Sequence, residues 1–197
     1  RSQLLGAHIN NINNFLVITG DPIPSMVRSS VKSVFNFDSV GLMNIISDMN
    51  QDQFADKPVI YGGAINQGRV NFKVELARVK KKMEAGATFF MTQPVFSDED
   101  ISRLRQIKEE TGARILCGIM PFVSLRNATF MKNEMTGINV TDEILARYSA
   151  DMTKEEGEET GIQIAKEIIT KTSDFVDGYY FSFPFNRVHM LEKILNA

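Results

Sequence analysis

Phe15-Leu-Val-Ile-Thr-Gly-Asp-Pro22 is the stretch on which the reading of this chain turns. Its apolar run is too short for a helix and stops at Gly20-Asp21-Pro22, so it predicts a buried strand ending at a turn. A carboxylate at the tip of such a strand stands at the mouth of an α/β core, where these folds do chemistry. The plainer alternative is that Asp21 only shapes the turn before Pro22. The rest of the chain has to decide between the two.

The same grammar recurs downstream. Strands are predicted over 58–65, ending at Asn66-Gln-Gly-Arg69, and over 88–92, ending at Gln93-Pro94. Two more cover 114–120, ending at Pro121, and 177–183, ending at Pro184-Phe-Asn-Arg187. A helix is expected over 3–11, and one or more helices after each strand. The first of these opens at an Asp38-Ser39 cap, with Val40, Met43, Ile46 and Met49 on one face. The next runs from Asn71 to Ala85, with Phe72, Leu76, Val79 and Met83 as its inward stripe. Others open at the capping-box pattern Ser97-Asp-Glu-Asp100, or span 125–134, 143–150, 154–171 and 188–196. No Asn-Gly hairpin joins two strands, so the sheet is expected to be parallel.

Neither glycine-rich dinucleotide fingerprint nor P-loop occurs. Polar strand ends instead suit a closed (β/α)8 TIM barrel, which keeps its site at the C-terminal ends of its strands. Only the last five β-α units of such a barrel can be counted. With the chain starting at Arg1 in a stretch that reads as helix, the expectation is a single domain over 1–197, without internal boundary, forming the C-terminal part of a longer barrel.

Composition narrows the chemistry. The 197 residues are 43% hydrophobic and 23% charged, with a net charge of −2. No global basic field argues for nucleic acid or a membrane surface. A lone cysteine, Cys117, and two histidines, His8 and His189, give no material for a thiolate or imidazole zinc site. No signal peptide or membrane-length apolar run is visible, and a cytoplasmic setting is expected. No Ser-His-Asp or Cys-His set sits at a strand end, so cofactor-borne chemistry suits the chain better than hydrolysis.

Three groups carry alternatives. Glu75, Arg78, Lys81 and Lys82 on the helix after the second strand are either a solvated charged face or a clamp for phosphate and ribose. Gln93 is either bonded to backbone or offers its amide to a planar heterocycle. Arg187 either holds a ligand carboxylate or pairs at the surface with Glu192 or Asp177.

Thr19-Gly20-Asp21-Pro22, the run from Glu75 to Ala87, Thr92-Gln93, Gly118-Ile-Met-Pro121 and Asn186-Arg187 occur in the order and spacing of methylenetetrahydrofolate reductases, which the chain resembles over essentially its whole length. Tyr61-Gly-Gly-Ala-Ile-Asn66 and Met120-Pro-Phe-Val-Ser-Leu-Arg-Asn-Ala128 look most like the reductase half of bacterial bifunctional homocysteine S-methyltransferase/methylenetetrahydrofolate reductases. The resemblance implies an FAD-binding barrel of which this chain supplies strands four to eight. It implies reduction of 5,10-methylenetetrahydrofolate to 5-methyltetrahydrofolate, with NAD(P)H as co-substrate.

By the same resemblance, Asp21 is the catalytic aspartate beside flavin and pterin. Thr19, Gly20, Asp38, Gly62, Asn66, Arg69, Glu75, Arg78, Lys81 and Lys82 align with the FAD site. Asp21, Gln93 and Arg187 align with folate contacts. Gly62 and Asn66 stand where single-function bacterial reductases carry Tyr and His, and the family's proton-donating glutamate has no counterpart in this chain. The isolated chain is therefore expected to be nearly inactive. Expected partners are the folate substrate and a fused upstream homocysteine methyltransferase domain, with room for a homo-oligomer. The alternatives are another FAD barrel, such as a proline dehydrogenase-like enzyme, and a non-catalytic barrel fragment.

Overall fold

The predicted strands form, with bounds that shift by a few residues. In the computed structural model, which describes residues 1–20, 30–32, 34, 36–135 and 137–196, they are β1 (Asn14–Val17), β2 (Ile60–Ile65), β3 (Phe89–Pro94), β4 (Ile115–Ile119) and β5 (Gly178–Phe181). Asp21 and Pro22, on which the opening reading centred, lie outside the described residues. The helices are α1 (Ser2–Ile9), α2 (Ser39–Gln51), α3 (Phe72–Glu84), α4 (Asp98–Thr111), α5 (Leu125–Glu134), α6 (Asp142–Ala146), α7 (Lys154–Thr172) and α8 (His189–Leu195).

Their starts follow local chemistry. Asp38, Asn71, Ser97, Ser124, Thr141 and Thr153 each accept a hydrogen bond from a backbone N–H of the first turn they cap. Only Thr153 and Glu156 complete a reciprocal capping box; at Ser97 the expected second half from Asp100 does not form. Gly112 ends α4 at φ 67°, a left-handed turn that a side chain would strain.

The strands lie in the order β1-β2-β3-β4-β5, every neighbouring pair parallel. A doubly wound sheet reverses its strand order at a switch point; this one never does. Because parallel crossovers are right-handed, a sheet built in strict sequence keeps its helices on one face. Burial alternates accordingly. Val17, Tyr61, Ile65, Phe90, Ile115, Cys117 and Ile119 are buried. A Cβ added at Gly63 would meet Lys82 of α3 and Met43 of α2, which places both helices on that side. On the other face Leu16 is 43% and Ile60 52% exposed. There Phe89 lies over Gly62 and Tyr180 over Gly118. Tyr180 Oη donates to Thr92 O at 2.5 Å, tying β5 to β3 across β4.

Two expectations change. β3 does not stop before Gln93-Pro94: it continues through both, and Pro94 pairs with Gly118 beyond an irregularity in the ladder after Met91. In α3 the inward stripe is not the apolar one: Glu75, Val79 and Lys82 are buried, whereas Phe72, Leu76 and Met83 are only half-buried. No helix among the described residues is long and apolar enough to cross a membrane, and none of their His, Cys, Asp and Glu side chains gather into a metal-binding group. Cys117 is buried, and burial pushes its thiol up to about 12, against the hydroxyls of Thr172 and Thr92.

Candidate functional site

The C-terminal ends of the strands form one rim, and most of the sequence-predicted residues stand on it or on the helices that follow. After β1, Gly20 takes φ 89°, and Thr19 Oγ1 accepts the Ser39 backbone N–H at 3.0 Å. That bond ties the strand end to the start of α2, where Asp38 caps Gly41 N at 2.9 Å. Thr19 and Asp38 thus brace the rim from neighbouring positions in space.

At the end of β2, Glu75 reaches back from α3. Its Oε1 accepts the Asn66 backbone N–H at 3.0 Å, and its Oε2 pairs with Arg69 at 3.4 Å. The carboxylate is 3% exposed at its side chain, so these two partners supply what water would otherwise give it. Two turns on, Lys82 Nζ donates to Ala64 O at 2.5 Å. Burial lowers the Lys82 ammonium below its ordinary value, against the opposing pull of Glu75 and Asp38 and together with Arg78 and Arg69. Neither Glu75 nor Lys82 is a solvated charge: both fasten α3 to the end of β2.

The expected clamp therefore divides. Arg78 and Lys81, with Lys73, line a cleft of 310 Å³ along α3 that also includes Asn71, Val74 and Ala77. None of those three cations pairs with a carboxylate among the described residues. Lys82 stands apart from this cleft, and Gly62 lies beneath the Phe89 ring rather than open to a ligand. The cleft's unpaired cations fit a phosphate-bearing group better than the buried pair does.

Gln93 is held by a residue that sequence reasoning passed over. Gln67, 1% exposed, donates from Nε2 to Gln93 O at 2.9 Å and accepts the Gln93 N–H on Oε1 at 3.1 Å. Gln93's backbone is thus fixed, while its own amide makes no hydrogen bond among the described residues and is half-buried at the rim. Arg103 of α4 locks the loop from outside, donating to Gln67 O at 2.8 Å and Arg69 O at 3.1 Å.

After β5 the chain turns through Pro184–Asn186, with Phe185 at φ 54° and Asn186 at φ 59°, both in the left-handed region. Side chains rarely adopt that conformation, and two together mark a turn held by its surroundings. It delivers Arg187 to Glu158 of α7, not to Glu192 or Asp177 as the surface-pair alternative had it. Asp177 instead accepts from Lys108 at 2.7 Å and from Ile115 N at 2.8 Å. Glu158's second oxygen meets His189 Nε2 at 2.8 Å. Glu158 was invisible in the sequence because an acidic residue on an acidic helix carries no mark of a distant partner.

No curated protein gives a significant match. Among solved structures, an uncharacterized protein from Clostridium thermocellum that binds two copies of 5-methyl-5,6,7,8-tetrahydrofolic acid superposes with a TM-score of 0.57 at 14% identity, covering 98% of this chain and 75% of that one. At that identity the likeness shows a shared fold. The family model for methylenetetrahydrofolate reductase matches residues 1–196. The chain therefore belongs to the methylenetetrahydrofolate reductase family.

Proposed function

We infer that this chain is the C-terminal part of a flavin-dependent reductase converting 5,10-methylenetetrahydrofolate to 5-methyltetrahydrofolate at the expense of NAD(P)H. The observation that carries the reading is the family match over 1–196 on a sheet whose polar strand ends share one rim. The Clostridium protein's bound methyltetrahydrofolate agrees with a folate substrate. Strict sequential order, one helix-covered face and two open edges suit part of a (β/α)8 barrel, with three further β-α units supplied from outside these residues. An upstream homocysteine methyltransferase domain, self-association and a cytoplasmic location belong to the same proposal.

The residues divide the work. Lys73, Arg78 and Lys81 would hold the FAD diphosphate, and Asn66, Arg69 and Thr19 would lie along the rest of the cofactor. Bound FAD would supply the hydride carrier between NAD(P)H and folate. Gln93, its backbone fixed by Gln67, keeps a free amide that can donate to and accept from the pterin edge or the nicotinamide carboxamide. Arg187 offers charge-assisted hydrogen bonds to the carboxylate end of folate. Asp21 would hydrogen-bond the pterin and favour a cationic iminium form of the substrate.

The test is made on the full-length polypeptide. It should carry a flavin absorbance band and oxidise NAD(P)H only when methylenetetrahydrofolate is present. Asp21→Asn should slow the folate half-reaction more than reduction of the flavin by NAD(P)H. Colourless protein that cannot be reconstituted with FAD would end this reading in favour of a non-catalytic barrel. Turnover of proline but not folate would favour the other flavin barrel. The 197 residues by themselves should show little or no reductase activity.

A further inference from the structure

Glu158 is the least explained charge near the rim. It belongs to α7, where Glu155, Glu156 and Glu159 are exposed, yet its side chain is only 17% exposed. It accepts from Arg187 Nη1 on one oxygen and meets His189 Nε2 at 2.8 Å on the other. Held from both sides, it cannot swing away without stranding a half-buried carboxylate. Arg187 is touched at one corner only. Among the described residues its Nε and Nη2 make no hydrogen bond, and its side chain remains 23% exposed. Nε and Nη2 form the edge that binds a carboxylate through two parallel bonds.

The turn that precedes Arg187 adds an aromatic group. Phe185 is 76% exposed and sits in the left-handed region, two residues from Arg187. An exposed ring in a strained turn, two residues from a guanidinium with a free edge, suits a ligand that carries both an aromatic ring and a carboxylate.

Resting on the folate reading, we propose that Glu158 is a positioning residue: it fixes the Arg187 guanidinium so that its free edge takes a glutamate carboxylate of an aroyl-glutamate ligand, with His189 holding Glu158 in place and Phe185 alongside the aryl group. Glu158 does not touch the ligand; it sets the direction from which Arg187 does. The competing arrangement is a place-holder, in which Glu158 occupies Arg187 until a ligand displaces it. The two differ in sign. Truncating a positioning residue weakens carboxylate binding, and truncating a place-holder strengthens it.

The experiment uses the full-length polypeptide and three probes: 5-methyltetrahydrofolate, p-aminobenzoylglutamate, and 6-methyltetrahydropterin, which has the ring but no aroyl-glutamate tail. Glu158→Ala should weaken the first two by about tenfold, equivalent to about 1.4 kcal/mol, and leave the tetrahydropterin unchanged. Glu158→Gln retains an acceptor for Arg187 and should recover most of the loss, which also guards against a fold defect in the alanine variant. In turnover, Glu158→Ala should raise the KM for the folate and spare kcat. Tighter binding of p-aminobenzoylglutamate to Glu158→Ala overturns the proposal in favour of the place-holder. Equal loss for all three probes, or no binding of p-aminobenzoylglutamate by the unaltered protein, overturns it as well. Failure of the tetrahydropterin to bind, while p-aminobenzoylglutamate still responds to Glu158, would overturn the folate reading and leave the role of Glu158 standing.

Discussion

The side chain of Gln67 stands in for a strand beside Gln93: its amide donates to Gln93 O at 2.9 Å and accepts Gln93 N–H at 3.1 Å. It does so where the β3–β4 ladder slips between Met91 and Pro94. Gln67→Leu would leave the Gln93 N–H unpaired, while Gln93 O keeps the Thr92 hydroxyl at 2.7 Å, costing about 1–3 kcal/mol. Urea denaturation should show the midpoint falling to match. An unchanged midpoint would mean that the loop re-pairs without Gln67.

Neighbouring lysines on α3 should behave differently. Lys81 is exposed on the cationic cleft, whereas Lys82 is buried against Ala64 O. Lys81→Ala should weaken flavin retention, read as released absorbance on gel filtration, and leave the melting temperature within a degree or so, as surface substitutions do. Lys82→Ala should lower stability by about 3 kcal/mol, because it strips a buried carbonyl of its donor and leaves Glu75 with less opposing charge. Equal flavin loss in both variants, without a stability difference, would return the two side chains to one role.

Gly161 lies in the middle of α7, where alanine ordinarily gains about 1 kcal/mol. Here a Cβ would stand 2.0 Å from Phe122 O, a backbone atom that cannot rotate aside. Gly161→Ala should therefore destabilise the protein by about 2 kcal/mol or more, reversing the sign that helix propensity alone would give. Calorimetry showing a higher melting temperature would contradict this close approach of α7 to the β4–α5 connection.

Acid should loosen the joint between α4 and β5. Burial alone would raise the Asp177 carboxyl, but Lys108 and the Ile115 N–H outweigh it and hold the group below its ordinary value. A depressed value means that the stabilisation is present above the unfolded value of 3.8 and is lost as pH falls through the folded one. Asp177→Asn should cost about 1 kcal/mol at neutral pH, a figure kept small because the carboxylate is 37% exposed. The difference from the unaltered protein should vanish in acid, below the folded value, when melting curves are compared across pH.

What could be read from the sequence followed punctuation. Gly20, Gln93-Pro94, Pro121 and Pro184 fall at or near strand ends, and Asp38 and Ser97 open helices, because turn and cap chemistry is local. The parallel direction of the strands follows from the absence of hairpins. The orientation of α3 was not legible. Helical spacing gives it two stripes, and only the carbonyl of Ala64 and the N–H of Asn66 decide that the charged one turns inward. Gln93-Pro94 looked like the turn after the strand because Pro94 lacks an N–H; the register slip lets both residues belong to the strand, with Pro94 as its last. Gln67 and Glu158 went unread for a common reason: their partners lie 26 and 29 residues away, and no periodicity encodes that.

Cys117 has a practical consequence. Its thiol is fully buried in the middle of β4 and pushed up to about 12, so in the folded protein it is closed to maleimides and iodoacetamides that attack thiolates. The native chain is therefore silent toward such labels. A cysteine introduced at the exposed position 185 would carry a fluorophore at one site, and ligand arrival at the rim could be followed as a change in emission with no second dye to subtract.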